Sequence, residues 1–487
     1  MRPMKTLRIF PLAALLGALV VPWAQGQTSA FKSAVNAQVA AARKIAPELG
    51  VHVVAVEEGQ EVYSFNPQTR RIIASNTKLF TSAAALDLLG PGFFFETEIQ
   101  ARGEVHGGIL EGDLAVIGGG DPNLSGRQYN GDSFGAFREW ARALKAAGIE
   151  RVRGELLLVR GFFDNQWVHP DWPRNQLTRW YEAPVSALSF NDNCVLVKVR
   201  PGPSPGKPAR VKAVPDLPFF NIRSTAGTTG RSKWAGLRID RLTGNGEANT
   251  LTVSGNIYRR TESVDKWVAV ADPVDYFGAA LRQALLEEGI VVEGRTNSSA
   301  ALYGQGWRRI HTHRTDLLTV LEVINKRSQN FYAESVIKLL GARLCGQGSW
   351  EKGTEVVREF LAGLGLAGTY RLADGSGMSR NNRFTPTQIT QLLRHMFFHS
   401  RGTEFVQTLP YSGEPDLSWS KRLAKAPYRG NVLAKTGTLS GVSTLSGYAK
   451  AVSGKIYAFS ILCNRARSNW QAKQAQDRIV RAIIDHG

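Results

Sequence analysis

The sequence predicts an α/β protein in which one domain, built from both ends of the chain, is split by a large and mainly β insertion. Three observations carry this. At 487 residues the chain is too long for one ordinary core. Residues 27–95 and 307–487 alternate helical periodicity with short apolar strands, whereas residues 96–306 are dominated by short β runs punctuated by glycine. A hydrophobic content of 43% and a charged content of 21% are those of a soluble globular chain, and no internal repeat is visible.

Taken in order, the chain opens with Arg2, Lys5 and Arg8, then an apolar run over 9–21, then Ala24-Gln25-Gly26 with small residues at a cleavage site. Residues 1–26 therefore read as a secretory signal peptide, since a membrane anchor needs a longer apolar run, and an exported, periplasmic protein is expected. No later stretch is long enough to span a bilayer. Residues 28–48 have helical spacing. Residues 51–56 form a buried strand, Glu58-Gly59 a turn, and 61–65 the returning arm of a hairpin. The run from Ala74 to Leu86 reads as a buried helix with Ser75 in its first turn, ended by Gly90-Pro91.

The insertion begins with strands at 95–101, 108–116 and 154–158. Its glycine-rich turn Gly118-Gly119-Gly120-Asp121-Pro122 lacks the Gly-Lys-Ser/Thr and helix of a phosphate loop. Residues 134–147 form an amphipathic helix with Phe137, Trp140, Ala141 and Leu144 on one face. Residues 201–265, rich in Pro, Gly, Thr and Arg, read as a small β subdomain. Residues 96–200 and 266–306 form the unit that carries it, with a helix at 273–288 and a strand at 290–292. Beyond 307 come helices at 316–326, 331–344, 351–364 and 387–399, strands at 431–438, 443–452 and 456–463, and a terminal helix at 467–485.

The formal net charge is +19, or +16 without Arg2, Lys5 and Arg8. Such a field favours a carboxylate-rich polymer, or reflects an arginine-rich solvated surface. Nucleic acid does not fit an exported chain that has no basic run interleaved with aromatics. Cys194, Cys345 and Cys463 are odd in number and lack metal-ligand spacing, so they read as mostly buried small apolar residues. The pairs His311/His313 and His395/His399 have no third His or Cys at ligand spacing, and Met396 stands where a zinc-protease helix needs glutamate. No metal and no cofactor is expected.

The chemistry starts at Ser75-Asn76-Thr77-Lys78. Residues three apart share a helix face, so Lys78 can sit beside the Ser75 hydroxyl. Lysine acts as its base only with a lowered pKa, which burial or a second cation provides. Ser-x-x-Lys also occurs at Ser29, Ser204, Ser263, Ser335, Ser349 and Ser418, where a helix-capping serine and a surface lysine suffice. Two further elements single out Ser75. Ser328-Gln329-Asn330 lies at a helix junction, and Lys435-Thr436-Gly437, the one Lys-Thr-Gly of the chain, lies on a strand.

Ser-x-x-Lys, Ser-x-Asn and Lys-Thr-Gly in that order are the signature set of penicillin-recognising acyl-serine enzymes. With Gly119-Gly120-Asp121-Pro122-Asn123-Leu124, Ala187-Leu188-Ser189 and the run from Asp374 to Arg380, the chain resembles the D-alanyl-D-alanine carboxypeptidase/endopeptidase family, the class C low-molecular-mass penicillin-binding proteins. The resemblance implies a β-lactamase/transpeptidase-like domain, an antiparallel sheet flanked by helices, and two accessory domains between Lys78 and Ser328. It implies that Ser75 is the nucleophile and Lys78 its base. Ser328 would relay a proton, and Asn330 would hold Lys78 and the substrate amide. Lys435 and Thr436 would take the substrate carboxylate at the edge strand with Gly437, and the amides of Ser75 and Thr438 would form the oxyanion hole. Peptidoglycan peptides and β-lactams are the implied partners. Arg380 matches an arginine near the family's side-chain pocket. Val159 and Arg160 stand where the family often carries acidic residues, with Asp164 and Asp171 as nearby substitutes. A non-catalytic wall-binding protein and a β-lactamase are the alternatives. No Glu-x-x-Leu-Asn follows Ser328, which disfavours the latter.

Overall fold

Both ends of the chain meet in one five-stranded antiparallel sheet, ordered Val432–Leu439, Val442–Lys450, Ile456–Asn464, Glu48–Ala55 and Glu61–Phe65. The computed structural model describes residues 21–487 apart from 245, 367 and 418, so residues 1–20 of the expected signal peptide lie outside the described residues. Glu48–Ala55 and Ile456–Asn464 are almost wholly buried, because the sheet is covered on both faces. On one face lie the helices Val21–Arg43 and Asn469–His486, which bury Val35, Val39, Ile479 and Ile483 against Val51 and Ile461. On the other lies a helical layer built from Thr77–Leu89, Leu317–Lys326, Asn330–Cys345, Trp350–Gly363, Pro386–Phe398 and Gly402–Thr408. Thr77–Leu89 is its centre. Ten consecutive residues, Thr77 to Leu86, are buried, so this helix shows no polar face, and it stops at Gly90 with φ +83°. Gly402–Thr408 has no counterpart among the expected helices.

The insertion has two cores. A seven-stranded sheet runs Val291–Val292, Arg151–Val152, Ile109–Ile117, Phe94–His106 and Trp307–Asp316, with Leu156–Val159 and Thr296–Ser299 paired beside it. Helices Gly135–Ala146 and Pro273–Glu287 pack on it through Phe137, Trp140 and Phe277. Trp307–Asp316 pairs with Phe94–His106 from Trp307↔Arg102 to Asp316↔Phe94. The inserted sheet therefore runs ten residues past the expected boundary at 306/307. This strand carries few large apolar residues, and only His313 and Thr315 along it are buried. The small β unit is also larger than 201–265. Cys194–Arg200, Arg210–Val214 and Val264–Ala269 form its second sheet and share a core with Thr250–Tyr258.

Among the described residues no helix is long and apolar enough to cross a membrane. None of the three cysteines is bonded. Cys194 and Cys463 are buried as expected, but Cys345 is exposed, because Asn330–Cys345 has by then left the core.

Candidate active site

The site forms where the Thr77–Leu89 helix meets the free edge of the five-stranded sheet. Ser75 sits in a single 3-10 turn, Ala74–Asn76, that leads into the helix. Ala74 is left-handed at φ +46°, a conformation that costs a non-glycine residue free energy and needs outside support. The support is visible. Asn76 Nδ2 donates to Lys435 O at 2.8 Å, Thr77 Oγ1 to Ala74 O at 2.9 Å, and Thr444 Oγ1 to Ile73 O at 2.9 Å. Gly437 allows a close approach: a Cβ there would lie 2.2 Å from Thr444 Oγ1 and 2.9 Å from Ser75 N.

Lys78 is fully buried and its Nζ donates three ways: to Ser75 Oγ at 3.1 Å, Asn330 Oδ1 at 2.7 Å and Ser376 O at 2.7 Å. Burial pulls its pKa down to about 7, against the raising pull of Glu334 and Asp374. Across the cleft Lys435, also fully buried, donates to Ser328 Oγ at 2.7 Å and Thr436 O at 2.9 Å. Burial, and then the charge of Lys78, hold Lys435 well below the ordinary lysine value. All three motifs therefore converge, two lysine amines sharing one cleft with two serine hydroxyls. Thr436 and Thr438 follow Lys435 along the edge strand, half-buried and exposed respectively. Arg380 is exposed and donates to Ser440 O at 2.6 Å, just beyond the end of that strand.

Beneath Lys78 lies a floor that the motifs did not reveal. Glu334 accepts from Trp350 Nε1 at 2.8 Å, Gly375 N at 2.9 Å and Ser376 N at 2.7 Å. It thereby aims the Ser376 carbonyl at Lys78. Burial, and then Asp374, raise the Glu334 carboxyl to about 7. Asp374 accepts from Trp172 Nε1 at 3.1 Å, Gly377 N at 2.8 Å and Asn382 Nδ2 at 2.7 Å. Both carboxylates are fully buried. In the sequence Glu334 ends the stretch from Asn325 that shares in the family resemblance, and Asp374 heads the run to Arg380, but neither carried a role there.

The inserted unit reaches the site as well. Asn330 Nδ2 donates to Tyr181 O at 2.9 Å, and His169 Nε2 lies 3.0 Å from Ala373 O. Of the two expected acidic substitutes, Asp164 is taken up by the buried Lys338, 2.6 Å away. Asp171 accepts from Ser379 Oγ at 2.7 Å and Asn381 Nδ2 at 2.8 Å, the two neighbours of Arg380. Val159 is a buried strand residue, and the half-buried Arg160 donates to Asn165. Of the other Ser-x-x-Lys pairs, Ser418 lies outside the described residues, and the lysine of the Ser335 pair, Lys338, is fully buried and not the surface lysine expected. Ser349 caps Trp350–Gly363 through Lys352 N, and Ser335 Oγ donates to Phe331 O at 3.0 Å. Of the histidines, His313 is buried between Asp121 and Glu139 at 3.9 Å, and His399 pairs with Asp87 at 2.8 Å. Among the described residues no group of three or more His, Cys, Asp or Glu could hold a metal ion.

A serine beside a buried lysine of lowered pKa, on a helix that faces an antiparallel sheet edge, defines a penicillin-recognising acyl-serine hydrolase. The chain belongs to the D-Ala-D-Ala carboxypeptidase 3 (S13) family, which it matches over residues 32–484. It is 32% identical over 459 residues to a D-alanyl-D-alanine carboxypeptidase of Actinomadura sp. (strain R39), covering 90% of this chain and 81% of that protein. It is 26% identical to the D-alanyl-D-alanine carboxypeptidase DacB of Haemophilus influenzae, covering 83% of this chain and 82% of that protein. The crystal structure of penicillin binding protein 4 (dacB) from Haemophilus influenzae superposes with a TM-score of 0.78 at 25% identity, covering 91% of this chain and 97% of that one. The chain is thus a serine-type carboxypeptidase with a mixed α/β, transpeptidase-like fold.

Proposed function

We propose that this enzyme is exported and cleaves the terminal D-Ala-D-Ala bond of peptidoglycan stem peptides, and the corresponding bond of cross-links, through an acyl-enzyme on Ser75. The observation that carries this reading is the 3.1 Å contact between Lys78 Nζ and Ser75 Oγ, with Lys78 brought down to about 7. Neutral Lys78 takes the Ser75 proton as Oγ attacks the penultimate carbonyl carbon. The amides of Ser75 and Thr438 hold the resulting oxyanion, for which Gly437 lets the strand close in; losing one such donor typically costs about 3 kcal/mol. The C–N bond then breaks. The departing amine takes its proton through Ser328, whose hydroxyl lies on Lys435. Asn330 fixes Lys78 through Oδ1. Lys435 and Thr436 bind the C-terminal carboxylate of a substrate lying along the edge strand. Arg380, with Asp171 close by, borders the stem-peptide side chain. Water hydrolyses the ester and restores Ser75. A β-lactam follows the first half of this path, but its leaving nitrogen stays tethered and the ester persists.

Labelling with a fluorescent penicillin tests the mechanism. Wild type is expected to retain the label and Ser75→Ala to take none; equal labelling of the two would remove Ser75 as nucleophile. Digestion of defined muropeptides, read by mass spectrometry, tests the substrate: release of D-alanine and loss of cross-linked dimers are both expected.

A further inference from the structure

Two strained segments face one another beside the nucleophile. Ser328 is left-handed, at φ +57°. In the insertion Asn191, Asp192 and Asn193 are left-handed in succession, at φ +53°, +58° and +51°. Asn and Asp tolerate this conformation better than other side-chain-bearing residues, but three in a row persist only where the surroundings hold them. Here they do. Asn193 Oδ1 accepts from Phe190 N at 3.1 Å, Asn193 Nδ2 donates to Pro184 O at 2.8 Å, and Asn191 Nδ2 to Cys194 O at 3.0 Å. The product of this effort is the placement of one carboxylate. Asp192 Oδ2 accepts from Gln329 Nε2 at 2.8 Å, and both oxygens accept from the guanidinium of Arg127. Arg127 in turn donates to Tyr332 Oη at 3.0 Å, two residues beyond Asn330. Gln329 is buried, and its Oε1 has no hydrogen-bond partner among the described residues, so the bond to Asp192 is what fixes its side chain.

We propose that Asp192 is a positioning residue for the reaction: by gripping Gln329 and Arg127 it holds the Ser328–Asn330 loop in the strained conformation that presents Ser328 Oγ to Lys435 and Asn330 to Lys78. The inserted unit is then part of the catalytic apparatus, and the middle residue of the Ser-x-Asn motif is its handle. This rests on the acyl-serine reading above. A charged donor–acceptor pair with one partner half-buried is worth enough to select one loop conformation over its relaxed alternatives.

The test swaps the donor and acceptor. In Q329E two carboxylates face each other. In D192N one acceptor oxygen and the charge that Arg127 pairs with are lost. In the double variant D192N/Q329E an amide again faces a carboxylate, while Arg127 is left with an amide oxygen at position 192. With a fluorescent penicillin and the full mature chain, acylation by each single variant should fall by about tenfold or more, and the double variant should recover the part of that loss that belongs to the contact between positions 192 and 329. The loss should appear in the acylation step and not in the initial binding constant, since Ser328 acts on the leaving group. Single variants that acylate at the wild-type rate, or a double variant whose loss is the product of the single losses, would overturn the proposal. So would a fall in melting temperature with unchanged acylation by the folded protein, which marks a structural role only. Wild type that takes no label strikes instead at the acyl-serine reading itself.

Discussion

Lys435 Nζ lies 2.7 Å from Ser328 Oγ, so the third motif reaches across the cleft and holds the second. Burial, and then the charge of Lys78, hold the fully buried Lys435 well below the ordinary lysine value, and a substrate carboxylate placed beside it would raise it again.

Replacing Lys435 with Ala should therefore hurt substrates unequally. A charge-assisted hydrogen bond is worth about 1.5–3 kcal/mol, so kcat/KM for a peptide with a free C-terminal carboxylate should fall by about tenfold to a hundredfold more than for its amide. Equal losses on the two peptides would remove the carboxylate role from Lys435.

The pH dependence follows from the sign of the Lys78 shift. A lysine brought down to about 7 is protonated, and useless as a base, below that value. Acylation by penicillin should rise with pH through about 7 and then level off. Glu334 raises the Lys78 pKa, so Glu334→Gln should move the rising limb to lower pH. A limb that stays in place would mean that the floor carboxylate does not set the base. Lys78→Arg, whose side chain cannot lose its proton, should acylate about 10²- to 10⁴-fold more slowly at every pH.

Gly437→Ala tests the close approach of strand and nucleophile. The new methyl would meet Thr444 Oγ1, Ile73 O and Ser75 N at 2.2, 2.9 and 2.9 Å, and the strand must back away. Displacing one oxyanion donor typically costs about 10²- to 10³-fold, and the folded variant should label that much more slowly. Wild-type labelling would show that the strand contributes no donor.

Stability should hinge on Lys338, a fully buried cation that pairs with Asp164 at 2.6 Å and lies 4.0 Å from the Trp350 ring centroid. Asp164→Ala leaves that charge buried and unpaired, so urea unfolding should show a loss of about 3 kcal/mol or more. Lys338→Met keeps the stem and removes the charge, and should cost less. The reverse order would mean that the ion pair is not what joins the 160–172 loop to the helix.

Much of the site was legible because its chemistry lies in short motifs of fixed order. The Ser75–Lys78 spacing is helical, and Lys-Thr-Gly marks a strand that glycine brings close. The helices and strands of the split domain carry strong periodicity, and the structure places most of them within a few residues of the expected limits, although the first helix runs Val21–Arg43 where 28–48 was expected. What escaped reading depends on contacts distant in sequence. Glu334 looks like any helix acid until Trp350 and the Gly375 and Ser376 amides close on it. Trp307–Asp316 has little apolar alternation, because its role is to pair with a strand two hundred residues earlier. Asp164 shows in sequence only as a carboxylate near the right place, and its capture by Lys338 is a fact of packing.

The five-stranded sheet has a consequence for how the protein is made. Glu48–Ala55 has on one side its own hairpin partner and on the other Ile456–Asn464, more than four hundred residues later. Closing so long a loop is slow, and during synthesis the first hairpin must wait until the last strands and the Asn469–His486 helix have emerged. The inserted unit can fold in the interval, from contacts already available to it. The nucleophile's cleft cannot close before the strand that carries Lys435 has emerged, so a chain that lacks Val432–Leu439 has no working site.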